Sequence, residues 1–234
     1  MTNFLVVIED NRGSVHRMSK EAIAGAQNLD GNVTALVLGA NAESLAQELS
    51  SIDIDKTLII NHDMVSTYNS DGYTEVVTKV IQSIDPDVII AGHSYQTRDF
   101  MPRVSARLDI PFISDVTMVN GDNYTKQVLN AKLNCTISSS SEKKILSFQS
   151  ACFSEEDMQS GSSNHQTIDI DLDSSIINSI SEEPFQESAS EIDLESADLI
   201  VSVGRGIEKE ENTSIAFDLA NVLHAEVSAS RPVV

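Results

Sequence analysis

Leu199-Ile-Val-Ser-Val-Gly-Arg-Gly-Ile207 opens a strand–turn–helix pattern that decides the fold of the C-terminal part of the chain. The apolar run from Leu199 to Val203 is rich in branched residues, which is typical of a buried strand. Gly204 and Gly206 end this strand, because glycine turns the chain sharply without steric cost. Between them lies Arg205, a permanently charged fork of hydrogen-bond donors. The pattern therefore predicts a strand that carries an arginine at its end.

A helix and a second strand follow this turn. The helix is predicted by apolar residues at helical spacing, namely Ile215, Leu219, Val222 and Leu223. The second strand spans residues 225–228. Because the strands of a strand–helix–strand unit are normally parallel, Arg205, Ser230 and Arg231 should end at one carboxyl edge. Open α/β sheets bind ligands at that edge, and two arginines there indicate an anionic or electron-rich ligand.

Three carboxylates after Arg205 limit what this edge can hold. The pattern places Glu208, Glu210 and Glu211 in the first helical turn, where they suit the positive end of the helix dipole. They would repel a phosphate placed there. We therefore expect Arg205 to meet a ring, or a phosphate lying across the strand ends, rather than to form a dinucleotide-type pyrophosphate cradle.

Composition excludes several classes of partner. The 234 residues are 41% hydrophobic and 22% charged, as in ordinary soluble domains, but the formal net charge is −21. Such a charge argues against nucleic acid and anionic membranes as partners, since both would repel the chain. No apolar run is long enough to insert in a bilayer, and residues 1–10 resemble neither a signal nor a transit peptide. The sequence predicts a protein of the bacterial cytoplasm.

The first half of the chain alternates strands with helices. Strands are predicted at Phe4–Ile8, Val33–Leu38, Thr57–Ile60 and Val88–Ala91, and helices at Lys20–Leu29, Ala42–Leu49 and Glu75–Ile84. Alternation of this kind indicates an α/β fold, with a mostly parallel sheet that is flanked by helices.

The segment that follows contains a proline and two arginines. Pro102 suits a helix start, so we predict a helix that begins there and carries Arg103 and Arg107 on one face. These arginines could bind an anion. A structural cluster of ion pairs with Asp99 and Asp109 is the favoured interpretation.

Alternating, Thr-rich runs then predict an antiparallel extension of the sheet. A short strand at residues 111–115 precedes runs at 126–131, 134–138 and 144–148, with a polar turn at 138–142. One further strand, Thr167–Leu172, is predicted to close this first domain.

Composition changes after this strand. Residues 176–195 are rich in Ser, Asp and Glu and predict an acidic linker. The domains expected are therefore an N-terminal α/β domain at 1–175 and the first strand–helix–strand unit of a second α/β domain at 196–234. That unit is too small to close a core alone, so the second domain is expected to be incomplete.

Other candidate sites are weaker. Gly92-His93-Ser94 follows a strand and could bind a nucleotide, but a plain strand-to-helix turn is favoured because the glycine pattern of phosphate loops is absent. The five histidines show no metal-ligand spacing, and no catalytic nucleophile with its base is recognisable. Cys135 and Cys152 lie in or beside strand-like runs, which predicts reduced thiols in the core.

Three segments together resemble one known family. Gly204-Arg-Gly-Ile207, Asp218-Leu-Ala-Asn-Val-Leu-His-Ala225 and Ala229-Ser-Arg231 are similar to the start of the FAD domain in the electron-transfer flavoprotein alpha-subunit family. Upstream, Met101-Pro-Arg-Val-Ser-Ala-Arg-Leu-Asp109 and Pro111-Phe-Ile-Ser-Asp115 also resemble family segments. The likeness covers nearly the whole chain, in the same order.

The resemblance implies an electron carrier rather than an enzyme with its own substrate. Family members pair an alpha with a beta subunit, hold FAD, accept electrons from acyl-CoA or other dehydrogenases and pass them to a membrane quinone oxidoreductase. The resemblance assigns FAD contacts to Arg205, Ser230 and Arg231, with Arg231 near the flavin ring. A fixed cation there would favour the negatively charged, reduced forms of the flavin.

Departures from the family pattern accompany this likeness. Val203 and Ser228 stand where the family usually has glycine, and Ile207 stands where it usually has leucine; these are mild replacements. The family's later FAD-contacting loops are not found before Val234, so the flavin site is expected to be incomplete and the chain to be a fragment. Two alternatives stay open: a stand-alone AMP- or ATP-binding module that uses Gly92-His93-Ser94, and a structural subunit that binds nothing.

Overall fold

The computed structural model describes residues 1–182, 194 and 197–231, and the chain divides into two compact units, Met1–Ser181 and Glu182–Val234. The strands of the first unit are β1 (Thr2–Val7), β2 (Asp10–Asn11), β3 (Ser14–Val15), β4 (Gly31–Leu38), β5 (Ile54–Ile60), β6 (Val88–Gly92), β7 (Phe112–Asn120), β8 (Asn123–Val128), β9 (Leu133–Ser138), β10 (Lys144–Phe148) and β11 (Ser163–Thr167). Its α-helices are α1 (Arg17–Asn28), α2 (Ala42–Glu48), α3 (Ser70–Ile84) and α4 (Tyr95–Leu108).

A nine-stranded sheet organises this unit, in the order β11-β5-β4-β1-β6-β10-β7-β8-β9. Every neighbouring pair from β11 to β7 is parallel, whereas β8 and β9 are antiparallel. The predicted fold class, a mostly parallel sheet flanked by helices with an antiparallel extension, is therefore confirmed. The remaining pair, β2 and β3, forms a small separate hairpin.

Strand periodicity divides the core into two layers. Phe4 and Val6 of β1 pack on the face covered by α1 and α2, while Leu5 and Val7 pack on the face covered by α3 and α4. Successive side chains of a strand point to opposite faces, so a strand covered on both sides must be apolar at nearly every position. That requirement explains the continuous apolar runs of β1 and β6.

The run at 144–148 corrects the predicted topology. It was expected to be an antiparallel strand of the extension, but β10 inserts between β6 and β7 and is parallel to both. All five of its residues are buried. Lys144 and Ser147 interrupt the apolar run that would identify a central parallel strand, and the preceding β8–β9 hairpin suggested pairing between sequence neighbours.

The helix start predicted at Pro102 is wrong, because α4 begins seven residues earlier, at Tyr95. The Ser94 side chain caps the helix by accepting a hydrogen bond from the Thr97 backbone N–H at 3.1 Å. Pro102 is interior and cannot donate to the carbonyl one turn back. Burial of Phe100, Met101 and Val104 on both sides of the proline holds the helix together at this point.

The strand predicted at Thr167–Leu172 lies earlier in the sequence, at Ser163–Thr167. β11 ends at Thr167, where it pairs with β5 at the sheet edge. Beyond it the Ile168 N–H still donates to the Ile59 carbonyl at 2.9 Å, and Ile168, Ile170 and Leu172 pack against the α3 side of the core. The alternation identified the buried residues correctly, but it could not show where the strand pairing ends.

The second unit contains β12 (Ile200–Val203), α5 (Thr213–Leu223) and β13 (Glu226–Ala229). Most of the predicted acidic linker, including residues 183–193, lies outside the described residues. The predicted domain boundaries at 175 and 196 stay a prediction. Among the residues described, no helix is long and apolar enough to span a membrane.

Both cysteines are free thiols, but neither is fully buried. Cys135 is exposed on β9, so the prediction that it lies in the core is wrong. Nearly all of the outer strand β9 is exposed in the described part of the chain, and sequence alternation alone cannot distinguish such an extension from a covered strand. Cys152 is half-buried against the α1 side of the core, and burial together with Glu21 raises the pKa of its thiol to about 11.

We expect iodoacetamide at pH 8 to alkylate Cys135 more than tenfold faster than Cys152. Only the thiolate reacts, and a pKa near 11 leaves about one thiol in a thousand ionised at this pH. Peptide mass spectrometry over a time course measures both rates, and Cys135→Ser should abolish the fast phase alone. Equal rates at the two sites would contradict the burial assigned to Cys152.

Candidate functional site

The strand–helix–strand unit brings the predicted site positions to one edge. β12 and β13 are parallel, and their register pairs Ile200 with Glu226 and Val203 with Ala229. The pairing continues one step further, where the Ser230 N–H donates to the Val203 carbonyl at 2.9 Å. Gly204 lies beside Ser230, because a Cβ at Gly204 would be 3.9 Å from the Ser230 hydroxyl oxygen. Parallel pairing thus places residues 204–205 next to residues 230–231.

The turn that carries Arg205 is short and internally bonded. Arg205–Ile207 forms one 3₁₀ turn, in which the Ile207 N–H donates to the Gly204 carbonyl at 3.0 Å. Asn212 closes the loop by donating its side-chain N–H to the Ile207 carbonyl at 2.8 Å. Gly206 has open space on its Cβ side. A ligand could therefore approach the backbone of this turn closely.

The predicted position of the three carboxylates is corrected in part. α5 begins at Thr213, and a 3₁₀ turn at Glu210–Asn212 leads directly into it, so Glu210 and Glu211 lie in this leading turn whereas Glu208 precedes it. The Thr213 and Ser214 hydroxyls donate to the Glu210 and Glu211 carbonyls at 2.6 and 3.1 Å. These local bonds set a later helix start than apolar spacing alone could indicate.

The cations at this edge are available for a ligand. Arg205 and Arg231 are exposed, and neither lies within ion-pair distance of a carboxylate in the described part of the chain. Ser230 is exposed as well. Two exposed guanidinium groups and a hydroxyl at a strand edge can bind a phosphate, a carboxylate or a reduced, anionic ring.

The second candidate, Gly92-His93-Ser94, is occupied by the protein itself. A Cβ on Gly92 would lie 2.6 Å from Cβ of Met18, so α1 covers the glycine directly. The Ser94 hydroxyl donates to Glu9 while it caps α4. These contacts fit the favoured interpretation, a strand-to-helix turn, and leave no room for a phosphate against the Gly92 backbone.

His93 belongs to a polar cluster with Ser147 and Asp115. Its Nδ1 lies 2.8 Å from the Ser147 hydroxyl oxygen, and its Nε2 lies 3.9 Å from Asp115 Oδ1. Burial lowers the pKa of His93, although Asp115 opposes this change. Because Ser147 is fully buried and also accepts the Asp115 N–H at 3.2 Å, it cannot reach a substrate as a nucleophile.

Arg103 and Arg107 form ion pairs, as favoured, but with other partners than predicted. Their guanidinium groups reach across to α3, where Arg103 meets Asp71 at 2.9 Å and Arg107 meets Glu75 at 2.6 Å. Asp99 instead accepts a hydrogen bond from Tyr68. Helix spacing identified the shared face of the arginines, whereas the packing of α4 on α3 determined their partners.

A cleft that the sequence did not reveal lies between α4 and the β7–β8 pair. We call it the cationic cleft; it is lined by His93, Arg98, Ser114, Asp115 and Lys126, with an apolar wall that includes Pro102 and Phe112. These residues come from α4, β7, β8 and the connection between β6 and α4. Lys126 belongs to a run recognised as a strand, but the sequence could not show which face that strand presents to α4.

No group of three or more His, Cys, Asp or Glu side chains in the described ranges could hold a metal ion.

Comparison with protein families gives two matches along the chain. Residues 4–173 match the electron transfer flavoprotein domain, and residues 193–234 match the electron transfer flavoprotein FAD-binding domain. The second match contains β12, α5, β13 and all three predicted site residues.

Individual relatives agree with these matches. The electron transfer flavoprotein subunit alpha of Bacillus subtilis is 32% identical over 97% of this chain and 71% of its own length. A probable mitochondrial alpha subunit of Caenorhabditis elegans is 31% identical over 100% of this chain and 70% of its own length. Protein FixB of Azotobacter vinelandii is 26% identical over 98% of this chain and 68% of its own length. The chain belongs to the alpha-subunit family of electron transfer flavoproteins.

Proposed function

We propose that this chain is an alpha subunit that carries electrons through a bound FAD. It accepts electrons from dehydrogenases, such as acyl-CoA dehydrogenases, and passes them to a membrane quinone oxidoreductase. It works as a carrier without a substrate of its own, in a heterodimer with a beta subunit, in the bacterial cytoplasm. The match of residues 193–234 to a FAD-binding domain supports the cofactor.

One observation carries the assignment of the site. The parallel pairing of β12 with β13 extends to the bond between Ser230 and Val203, and so brings Arg205, Ser230 and Arg231 to one strand edge. The donor set fits FAD, because its diphosphate and its reduced ring are both anionic and both arginines lack a carboxylate partner among the described residues.

Each residue has a distinct part in this proposal. Arg205 binds an anionic group at the end of β12 with its guanidinium fork, and the Ser230 hydroxyl donates a hydrogen bond beside it. Arg231 places a fixed positive charge against the flavin ring. FAD supplies the redox chemistry, while these residues hold and orient it and set the local charge.

The proposal predicts that residues 193–234 can replace their counterpart in the Bacillus subtilis alpha subunit with retention of flavin. The chimera would be co-expressed with the beta subunit of that organism, and its flavin measured by absorbance after purification. Arg205→Gln should weaken FAD binding about ten- to a hundredfold, because a charge-assisted hydrogen bond contributes roughly 1.5–3 kcal/mol.

Lys209→Gln is the matched control. Lys209 is an exposed cation four residues after Arg205, in the same connection but beyond the turn at the strand end, so its loss should change FAD affinity less than twofold. A folded chimera without flavin would overturn the proposal and favour a purely structural subunit. Equal losses in the two variants would show that general charge, not the strand edge, binds the cofactor.

The alternative of an AMP- or ATP-binding module is not favoured. That function needs free space against the backbone at the end of β6, where Met18 already covers Gly92 and Ser94 is bound to Glu9.

A further inference from the structure

Two cations without a carboxylate partner among the described residues line the cationic cleft, far along the chain from the proposed flavin edge. The cleft has a volume of about 500 Å³. Arg98 and Lys126 lie within ion-pair distance of no carboxylate in the described residues. Seven of the 15 Lys and Arg residues form an ion pair among the described residues, and Arg98 and Lys126 belong to the eight that do not. Because both line the same cleft, their charges together point to an anion from outside the chain.

Hydrogen-bonding groups in the cleft are arranged for an anion. Lys126 Nζ lies 3.1 Å from the Ser114 hydroxyl oxygen, so ammonium and hydroxyl point to one place. Arg98 stacks over the Tyr95 ring at 5.4 Å, a contact that leaves the edge of its guanidinium free to donate. Asp115 is the carboxylate of the cleft, and it faces His93 Nε2 at 3.9 Å.

The rest of the cleft is apolar. Pro102 from α4, Phe112 from β7 and Val128 from β8 line it together with Leu129, whose side chain is largely exposed. Binding sites for small molecules typically combine such a wall with a few convergent polar groups. Asp115 offsets one of the two positive charges, but the two cations and the hydroxyl still supply donors for the three acceptor oxygens of a phosphate group, whereas a carboxylate has only two.

We propose that the cationic cleft binds a small phosphate monoester, with the phosphate held by Arg98, Lys126 and Ser114 and an apolar body against Pro102 and Phe112. This site is independent of the flavin edge, since no residue is shared between them. It gives the first unit a ligand-binding role of its own.

Isothermal titration of the full chain at fixed, low salt tests the site with phenyl phosphate, inorganic phosphate, benzoate and phenol. We expect saturable binding of phenyl phosphate, weaker binding of inorganic phosphate, and binding of benzoate and phenol at least tenfold weaker than that of phenyl phosphate. Arg98→Gln and Lys126→Gln should each weaken phenyl phosphate binding about tenfold, the loss expected for one charge-assisted contact.

Arg12→Gln and Lys132→Gln are the matched controls, because both residues are exposed cations outside the cleft. Each should change the affinity less than twofold. The proposal is overturned if phenyl phosphate at concentrations up to about 10 mM does not saturate the site, since a dissociation constant above about 10 mM corresponds to less than about 3 kcal/mol of binding free energy. Equal binding of benzoate, or equal losses in the control variants, would overturn it as well.

Discussion

Arg231→Gln should lower the one-electron reduction potential of the bound flavin by as much as roughly 170 mV, in the chimera that carries residues 193–234. Reduction adds negative charge to the flavin, and a fixed cation beside it stabilises the reduced form. Coulomb's law gives roughly 4 kcal/mol for charges in contact at an effective dielectric constant of about 20. That figure corresponds to the stated shift and is an upper limit before desolvation.

The exposure of this edge determines how much of the shift is observed. Arg231 is exposed in the chain by itself, where water screens its charge. Closure of the pocket around the cofactor would remove that water and strengthen the interaction. Arg231→Lys should keep most of the potential, because the charge remains, but it should weaken FAD binding, since an ammonium lacks the planar fork of arginine.

Potentiometric titration with spectroscopic detection measures this effect. Arg205→Gln provides the informative comparison: we expect it to reduce FAD affinity with a smaller change in potential, since the proposal places Arg205 against an anionic group and Arg231 against the ring. Lys209→Gln should leave both quantities nearly unchanged. An unaltered potential in Arg231→Gln would contradict the assigned position of Arg231.

Sequence periodicity was sufficient to predict the fold where strands and helices alternate in simple strand–helix–strand units. The alternation of strands and helices up to β6 follows from apolar spacing, and the parallel pairing of β12 with β13 follows from the short helix between them. The convergence of residues 204–205 with residues 230–231 could be predicted for that reason. The prediction that FAD binds at this edge rests on the resemblance to a family, because two exposed arginines alone do not specify a ligand.

Periodicity was insufficient to predict helix ends, ion-pair partners and clefts that depend on contacts between segments distant in the sequence. Ser94 caps α4 through a side chain whose role depends on where β6 ends, so Pro102 wrongly suggested a helix start. The partners of Arg103 and Arg107 lie on another helix, and the cationic cleft draws Arg98 and Lys126 from elements that touch only in the folded chain. Such arrangements depend on tertiary contacts, which local patterns do not encode.

The position of β10 has the largest consequence for stability. We expect Phe148→Ala to lower the free energy of unfolding of the first unit by about 3–5 kcal/mol, the cost of deleting a fully buried aromatic side chain. Phe148 is 1% exposed and packs against the Phe153 ring with a centroid distance of 4.9 Å. Since domains have only about 5–15 kcal/mol of net stability, this loss would remove a large part of it.

Urea denaturation measures the change, and Leu133→Ala is the control. Leu133 lies on the outer strand β9 with 56% of its surface exposed, so its truncation should cost less than about 1 kcal/mol. The comparison distinguishes two topologies. If the run at 144–148 were an outer antiparallel strand, as its sequence suggests, Phe148→Ala and Leu133→Ala would have similar effects.

A second substitution tests the same packing from the other side. Gly25 of α1 faces Phe148 so closely that a Cβ there would lie 2.6 Å from the ring, and Phe153 lies at 2.7 Å. Gly25→Ala should therefore cost about 1–3 kcal/mol through overpacking. In the Phe148→Ala background this cost should fall, because one of the two obstructing rings is gone, and a double-mutant cycle would report coupling of at least about 0.5 kcal/mol. Strictly additive effects would contradict the direct contact between Gly25 of α1 and Phe148 of β10.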